Sequence, residues 1–387
     1  MNENKKEVMP DETTGSSELG SYLLIISVVI FSSFLALMPF LFGLNDVLSI
    51  HFWETGMQVV YRYWDGPLYV VVSQTFYAPE SPLYAATGFW PSYYSAHFPL
   101  YPFVIRLFSF IGAFEGMIVA TILFTCAAAL VFYKIVKEFG IADHPLLLTI
   151  FFCFFPVRWF LYRNVGASEA AFVFLCLVTI YFLKKDKIEF SVISATLATL
   201  TRIFGVFLLP VILASLALKK QLTLKNVLLT LLIPTALLIL FSWYFVSFGD
   251  FYAYFGVNAV NIREPFHIMI SFNDAYFREL YGILIVIYAI AAFALWDRGE
   301  KEMSLFVIIY LAFVTLVAHG DASRYMIPMA PFALIGFEKI FPKNRIAFLV
   351  IIVIAAILSL IYTWTVIPIN PMPEETYLRI RETIGMM

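Results

Sequence analysis

The residues best suited to chemistry are one aspartate and two arginines placed far apart in the chain. Asp65 lies in the run Arg62-Tyr63-Trp64-Asp65-Gly66-Pro67-Leu68-Tyr69, a carboxylate among aromatic rings beside a Gly-Pro turn signal. Partial desolvation raises a carboxyl pKa, which suits a general base that takes a proton from a hydroxyl. The structural alternative is an aspartate that caps the turn ahead of Gly66-Pro67. Arg202 and Arg324 offer the complementary group, a planar fork that grips phosphate oxygens. Arg202 interrupts an apolar stretch, where a charge is costly and marks function. Arg324 follows Gly320-Asp321-Ala322-Ser323, so a surface pair with Asp321 is its plain alternative. Glu169 is either a substrate-binding acid or the first-turn acid of a helix capped by Ser168. His97 is a proton carrier or a satisfied structural group. Trp64, Tyr101 and Tyr325 offer rings that stack on sugars or sit in the headgroup belt. His51 and His319 complete no metal-ligand spacing with a second histidine, so the sequence asks for no cofactor and leaves a divalent metal open.

Of the 387 residues 61% are hydrophobic and 13% charged, more apolar than a soluble chain could cover with polar surface. The net charge of −2, with no basic run interleaved with aromatics, speaks against a nucleic-acid partner. Apolar runs at 20–43, 115–137, 145–160, 169–184, 188–201, 203–218, 225–248, 280–296, 303–319, 325–341 and 345–367 predict about eleven transmembrane helices. The stretch 98–112 is short and holds Pro99, Pro102 and Arg106, which reads as an interfacial or re-entrant helix. The expectation is an all-α polytopic membrane protein. It has a cytoplasmic tail over 1–19, a single transmembrane domain over 20–367 with a partly helical first outer loop at 44–114, and an outer C-terminal tail over 368–387. Cys126, Cys153 and Cys176 fall inside apolar runs and read as small core residues.

With the N-terminus inside, the short loops carrying Lys134 and Lys137, Lys184 to Lys187, Lys219 to Lys225, Arg298 and Lys301, and Lys343 and Arg345 are all cytoplasmic. The outer side then keeps arginines and no lysine: Arg62, Arg106, Arg158, Arg163, Arg202, Arg263, Arg278, Arg324, Arg379 and Arg381. An arginine-only face suits a lipid phosphate or, more plainly, snorkelling to headgroups. The runs on either side of Arg202 are short for the bilayer, so the break with Thr201, Arg202 and Gly205 is expected to line a cavity. Gly205 would let a ligand approach the backbone. The loop 249–279, with Asn258, Asn261, Arg263 and Glu264, is a further outer segment of useful length.

Trp64-Asp65 followed by Phe98-Pro99-Leu100-Tyr101-Pro102, then Ser168-Glu169, Thr201-Arg202-x-x-Gly205 and Arg324-Tyr325 with Pro328, resembles the PIG-V-type mannosyltransferases of the GT-C membrane glycosyltransferases. The likeness covers about residues 60–330. Ala167 stands where that family has Tyr before Ser-Glu, and His97 where it typically has Phe. The resemblance implies a GT-C-like fold and inverting transfer of a mannosyl group from a polyprenyl or dolichyl phosphate to a glycan or glycolipid hydroxyl. Asp65 would be the base, Arg202 and Arg324 would hold the donor phosphate, and Trp64, His97, Tyr101, Glu169 and Tyr325 would bind substrate. It also implies a site on the outer face of a cell membrane or the lumenal face of the endoplasmic reticulum. The alternatives are another lipid-linked sugar, a lipid-linked saccharide flippase or transporter, and a non-catalytic lipid-binding scaffold.

Overall fold

A computed structural model describes residues 12–258 and 262–387; Asn261 and the start of the N-terminal tail lie outside the described residues. The described chain is mostly helical. Five helices are long and apolar enough to cross a membrane: Glu18–Leu41, Ala113–Glu138, Leu224–Phe248, Ala275–Asp297 and Arg345–Ile369. The shortest has 23 residues, roughly 35 Å at 1.5 Å per residue, against a hydrocarbon core of roughly 30 Å. In Arg345–Val366, Leu349, Val350, Val353, Ile354 and Ile357 form an exposed apolar stripe, while Phe348, Ile352, Ala355 and Ser359 face the protein. A stripe of that size belongs against lipid. This is the build of a multi-pass helical membrane protein.

Shorter helices fill the interior. Glu169–Lys184 is buried nearly all round and packs against Ala113–Glu138 and Ile188–Thr199, as a helix apolar on every face should. The apolar run 145–160 is not one helix: Pro145–Phe154 stops, the chain extends through Phe155 and Pro156, and Val157–Tyr162 begins anew. Proline has no N–H to continue the ladder. The run 325–341 is likewise divided into Ala322–Tyr325, a 3-10 turn Ile327–Met329 and Ala330–Gly336, with Pro328 and Pro331 at the joints. The helix expected over 303–319 ends at Val314. Beyond it the chain turns at Thr315 and Leu316, whose carbonyls accept from the Phe266 and Arg263 amides respectively.

Two ends of the bundle differ in charge. At one, the short loops are tied together: Lys184 to Glu300 at 2.5 Å, Lys219 to Asp186 at 2.9 Å and to Glu302 at 2.7 Å, and Arg298 to Glu338 at 3.0 Å. At the other lies the first long loop, folded into Met57–Tyr61, Gly66–Thr75, Pro82–Thr87, a 3-10 turn Pro91–Ala96, and Leu100–Phe108. The C-terminal segment packs on it. Helix Glu374–Met386 packs against Pro82–Thr87 and buries Tyr377 and Ile380, with Tyr377 edge-on to Phe114, and the backbones of Arg62 and Met372 join at 2.7 Å.

Candidate functional site

Under the first loop lies a cavity of about 810 Å³ whose walls include Trp64, Asp65, Tyr69, His97, Arg158, Arg202, Arg324 and Tyr325. Asp65 occupies the N-cap position of Gly66–Thr75 but makes no capping bond. Its carboxylate turns instead to Arg324, whose Nη2 stands 2.5 Å from Oδ2. The loop is seated by a close glycine contact: a Cβ on Gly166 would lie 2.8 Å from Gly66 Cα, so no larger residue fits there. That contact sets Asp65 near the start of Glu169–Lys184.

Glu169 is 1% exposed and does not line the cavity. Its Oε1 accepts from Arg202 Nη1 at 2.5 Å and also from Arg324 Nε, so one buried carboxylate holds both guanidinia. Ser168 does not cap this helix; its Oγ meets Arg202 Nη1 at 3.3 Å and Tyr69 hydroxyl at 2.8 Å. Arg202 follows the end of Ile188–Thr199 and precedes the 3-10 turn Ile203–Phe207. Gly205 serves that break in a way the sequence reading did not anticipate. Its backbone is pressed against the chain's own helix end, since a Cβ would stand 2.3 Å from Thr199 N and 2.4 Å from Ala198 C. The close approach is to protein, not to a ligand. Tyr325 lies under Arg202, 5.7 Å from ring centroid to guanidinium carbon.

The expected rise in the Asp65 pKa is reversed. Burial works to raise it, but Arg324, His97 and Arg202 together outweigh burial and hold the carboxyl below its ordinary value. His97 is 6% exposed, and burial, against the pull of Asp65, pushes its pKa down to about 4. It is therefore a neutral imidazole at ordinary pH. Tyr101 is fully buried behind the wall, sharing a 2.6 Å hydrogen bond with Thr121 and packing edge-on to Tyr69. It supports Tyr69 and does not reach the cavity. Trp64 is 43% exposed, and its backbone N–H donates to Asn370 O at 3.1 Å.

Of the ten arginines expected on the outer side, Arg158, Arg202 and Arg324 line the cavity. Arg62 is spent on Glu54 and the Met372 carbonyl, Arg379 on Ala86 and Glu375, and Arg163 is buried beside Ser32 and Ser33. Arg324 does not pair with Asp321. Asp321 pairs with Arg158, and accepts from Tyr162 hydroxyl at 2.8 Å. Sequence reasoning passed over Arg158, Asp321, His319 and Asn370 as site residues; an arginine inside the run 145–160 was the one available signal. Asn258 reaches the cavity, whereas Arg263 and Glu264 are exposed outside it.

Asp65 and Asp321 at the cavity and Glu169 buried behind it thus oppose the three arginines that line it. Among the described residues no group of three or more His, Cys, Asp or Glu comes together to hold a metal ion. The arrangement pairs an ionised carboxylate, able to accept a proton, with guanidinia able to bind an anion a few ångströms away. No protein-family model matches the chain, and no curated protein matches it.

Proposed function

We propose that the protein is an inverting, GT-C-like glycosyltransferase that moves a mannosyl group from a polyprenyl or dolichyl phosphate to an acceptor hydroxyl on the outer or lumenal face. The observation that carries this reading is the chain of contacts from Asp65 to Arg324 and Arg202, which line the cavity, through Glu169 buried behind them. Asp65 accepts the proton of the acceptor hydroxyl as that oxygen bonds to the anomeric carbon, and the bond from that carbon to the phosphate oxygen breaks with its electron pair on the phosphate. The phosphate goes from a singly charged diester to a monoester with a second negative charge. In the same step Asp65 loses its charge, so Arg324 is released from one counter-ion as the leaving group needs it. Glu169 keeps Arg324 and Arg202 side by side throughout.

The membrane arrangement fits this reading. On this reading the helical segments make about eleven passes, with the lysine-bearing loops on the cytoplasmic side and the cavity, first loop and C-terminus on the other. The decisive assay uses the full-length protein in nanodiscs with a panel of labelled lipid-phosphate sugars. Transfer from lipid-phosphate mannose is expected, with Asp65→Asn slower by about 10²- to 10⁴-fold. Wild-type turnover by a folded Asp65→Asn protein overturns the assignment.

A further inference from the structure

The reaction above uses the wall built by Glu169–Lys184 and the Arg202 break. A second wall, built by Val157–Tyr162, the 319–321 turn and the end of Arg345–Val366, is also polar and is left unused. Arg158 Nη1 donates to Tyr362 hydroxyl at 2.8 Å while Nη2 pairs with Asp321. The Asp321 amide donates to His319 Nδ1 at 3.1 Å, which leaves the ring proton on Nε2 as a donor. Asn370 sits beside Trp64, and Arg158, Asp321, His319, Asn370 and Trp64 all line the cavity.

We infer that this wall, Arg158 and Asp321 with His319, Asn370 and Trp64, seats the head group of the acceptor and selects an uncharged, hydroxyl-rich one. The inference rests on the transferase reading and adds to it the side from which the acceptor arrives and the chemistry it presents. Arg158 and Asp321 neutralise each other, so this wall offers an anionic head no free positive charge to pair with. Carboxylate, amide, imidazole and guanidinium are planar groups with fixed donors and acceptors, as alternating sugar hydroxyls require, and Trp64 adds a ring face for the apolar side of a pyranose. Trp64 precedes Asp65, so a hydroxyl held here meets the base. The Arg202 wall is formed by other helices, which leaves the phosphate its own side, as in-line displacement demands.

The test uses the full chain in nanodiscs, polyprenyl phosphate mannose as donor, and octyl α-mannoside or lysophosphatidylinositol as acceptor. Asn370→Ala and His319→Gln leave the ion pair intact and address folding; Asp321→Asn is the stronger variant. Both milder variants are expected to raise the octyl mannoside KM about fivefold to tenfold while the donor KM moves less than about twofold. An unchanged acceptor KM, an equal rise in donor KM, or preference for the anionic lysophosphatidylinositol overturns the inference. Saturation-transfer NMR of methyl α-mannoside separates the two readings. Binding lost in Asn370→Ala, in a protein that transfers from no lipid-phosphate sugar, keeps the wall and sinks the transferase. Transfer with the acceptor KM untouched does the reverse.

Discussion

Arg324 Nη2 stands 2.5 Å from Asp65 Oδ2, joining the first long loop to a short helix near the other end of the chain. This ion pair decides the protonation state of the residue that would act as base, and the pH behaviour follows from it.

Asp65 has its pKa lowered in the folded protein. The carboxylate form therefore persists as pH falls, and its contribution to stability, present above the unfolded pKa, is lost only as pH drops through the lower folded value. The acid limb of kcat/KM is expected below the usual carboxylate value of about 4. In Arg324→Met burial acts with less opposition, and the limb moves up. A limb that stays put in that variant removes Arg324 from the control of Asp65.

Glu169→Gln takes the shared counter-ion from Arg202 and Arg324 while keeping the side chain's size. Two guanidinia then face each other with only Asp65 beside one of them, a loss of about 3–5 kcal/mol if the buried pair behaves as others do. Thermal unfolding in detergent should show a much lower midpoint than Asp65→Asn does. Equal midpoints would mean that Glu169 does not hold the arginines together.

Gly205→Ala tests the break. Its Cβ would fall 2.3 Å from Thr199 N and 2.4 Å from Ala198 C, and backbone on both sides cannot yield as a flexible side chain can. Overpacking of this kind costs about 1–3 kcal/mol. The variant should lose folded yield, and any folded fraction should bind lipid phosphate more weakly because Arg202 is displaced. Normal affinity with a normal yield would contradict the packing role.

Arg62 is 2% exposed; it pairs with Glu54 within the first loop and reaches the C-terminal segment through the Met372 carbonyl. Arg62→Met leaves Glu54 unpaired and loosens the backbone pairing of 62–64 with 370–372. Limited proteolysis should then cut near residues 370–373 faster than in the wild type, with kcat falling more than either KM. Unaltered cleavage would show that the segment is held without the Arg62 side chain.

The proposed eleven passes are an odd number, so fusions of a compartment-sensitive reporter at the two ends of the chain should report opposite sides. Reporters on the same side would remove the eleven-pass arrangement while leaving the cavity chemistry untouched.

Composition and periodicity were enough to determine a helical membrane protein, because long apolar segments have few soluble alternatives. Asp65 and Arg202 were legible as well, since a charge inside apolar or aromatic surroundings needs a reason, whereas Arg324 stood out only through the motif resemblance. Other features depend on which distant groups come within a few ångströms. Asp321 stands three residues from Arg324 yet pairs with Arg158, and Tyr101 belongs to the motif run yet sits behind the wall. The helix ends at Phe154, Val314 and the Pro328–Pro331 joints shorten apolar runs that hydropathy alone reads as continuous. Most of all, the pKa of Asp65 is a balance of burial against opposing charges. The residue types are written in the chain, but the sign of that balance is set by Coulomb terms that fall with distance, and only the tertiary structure supplies the distances.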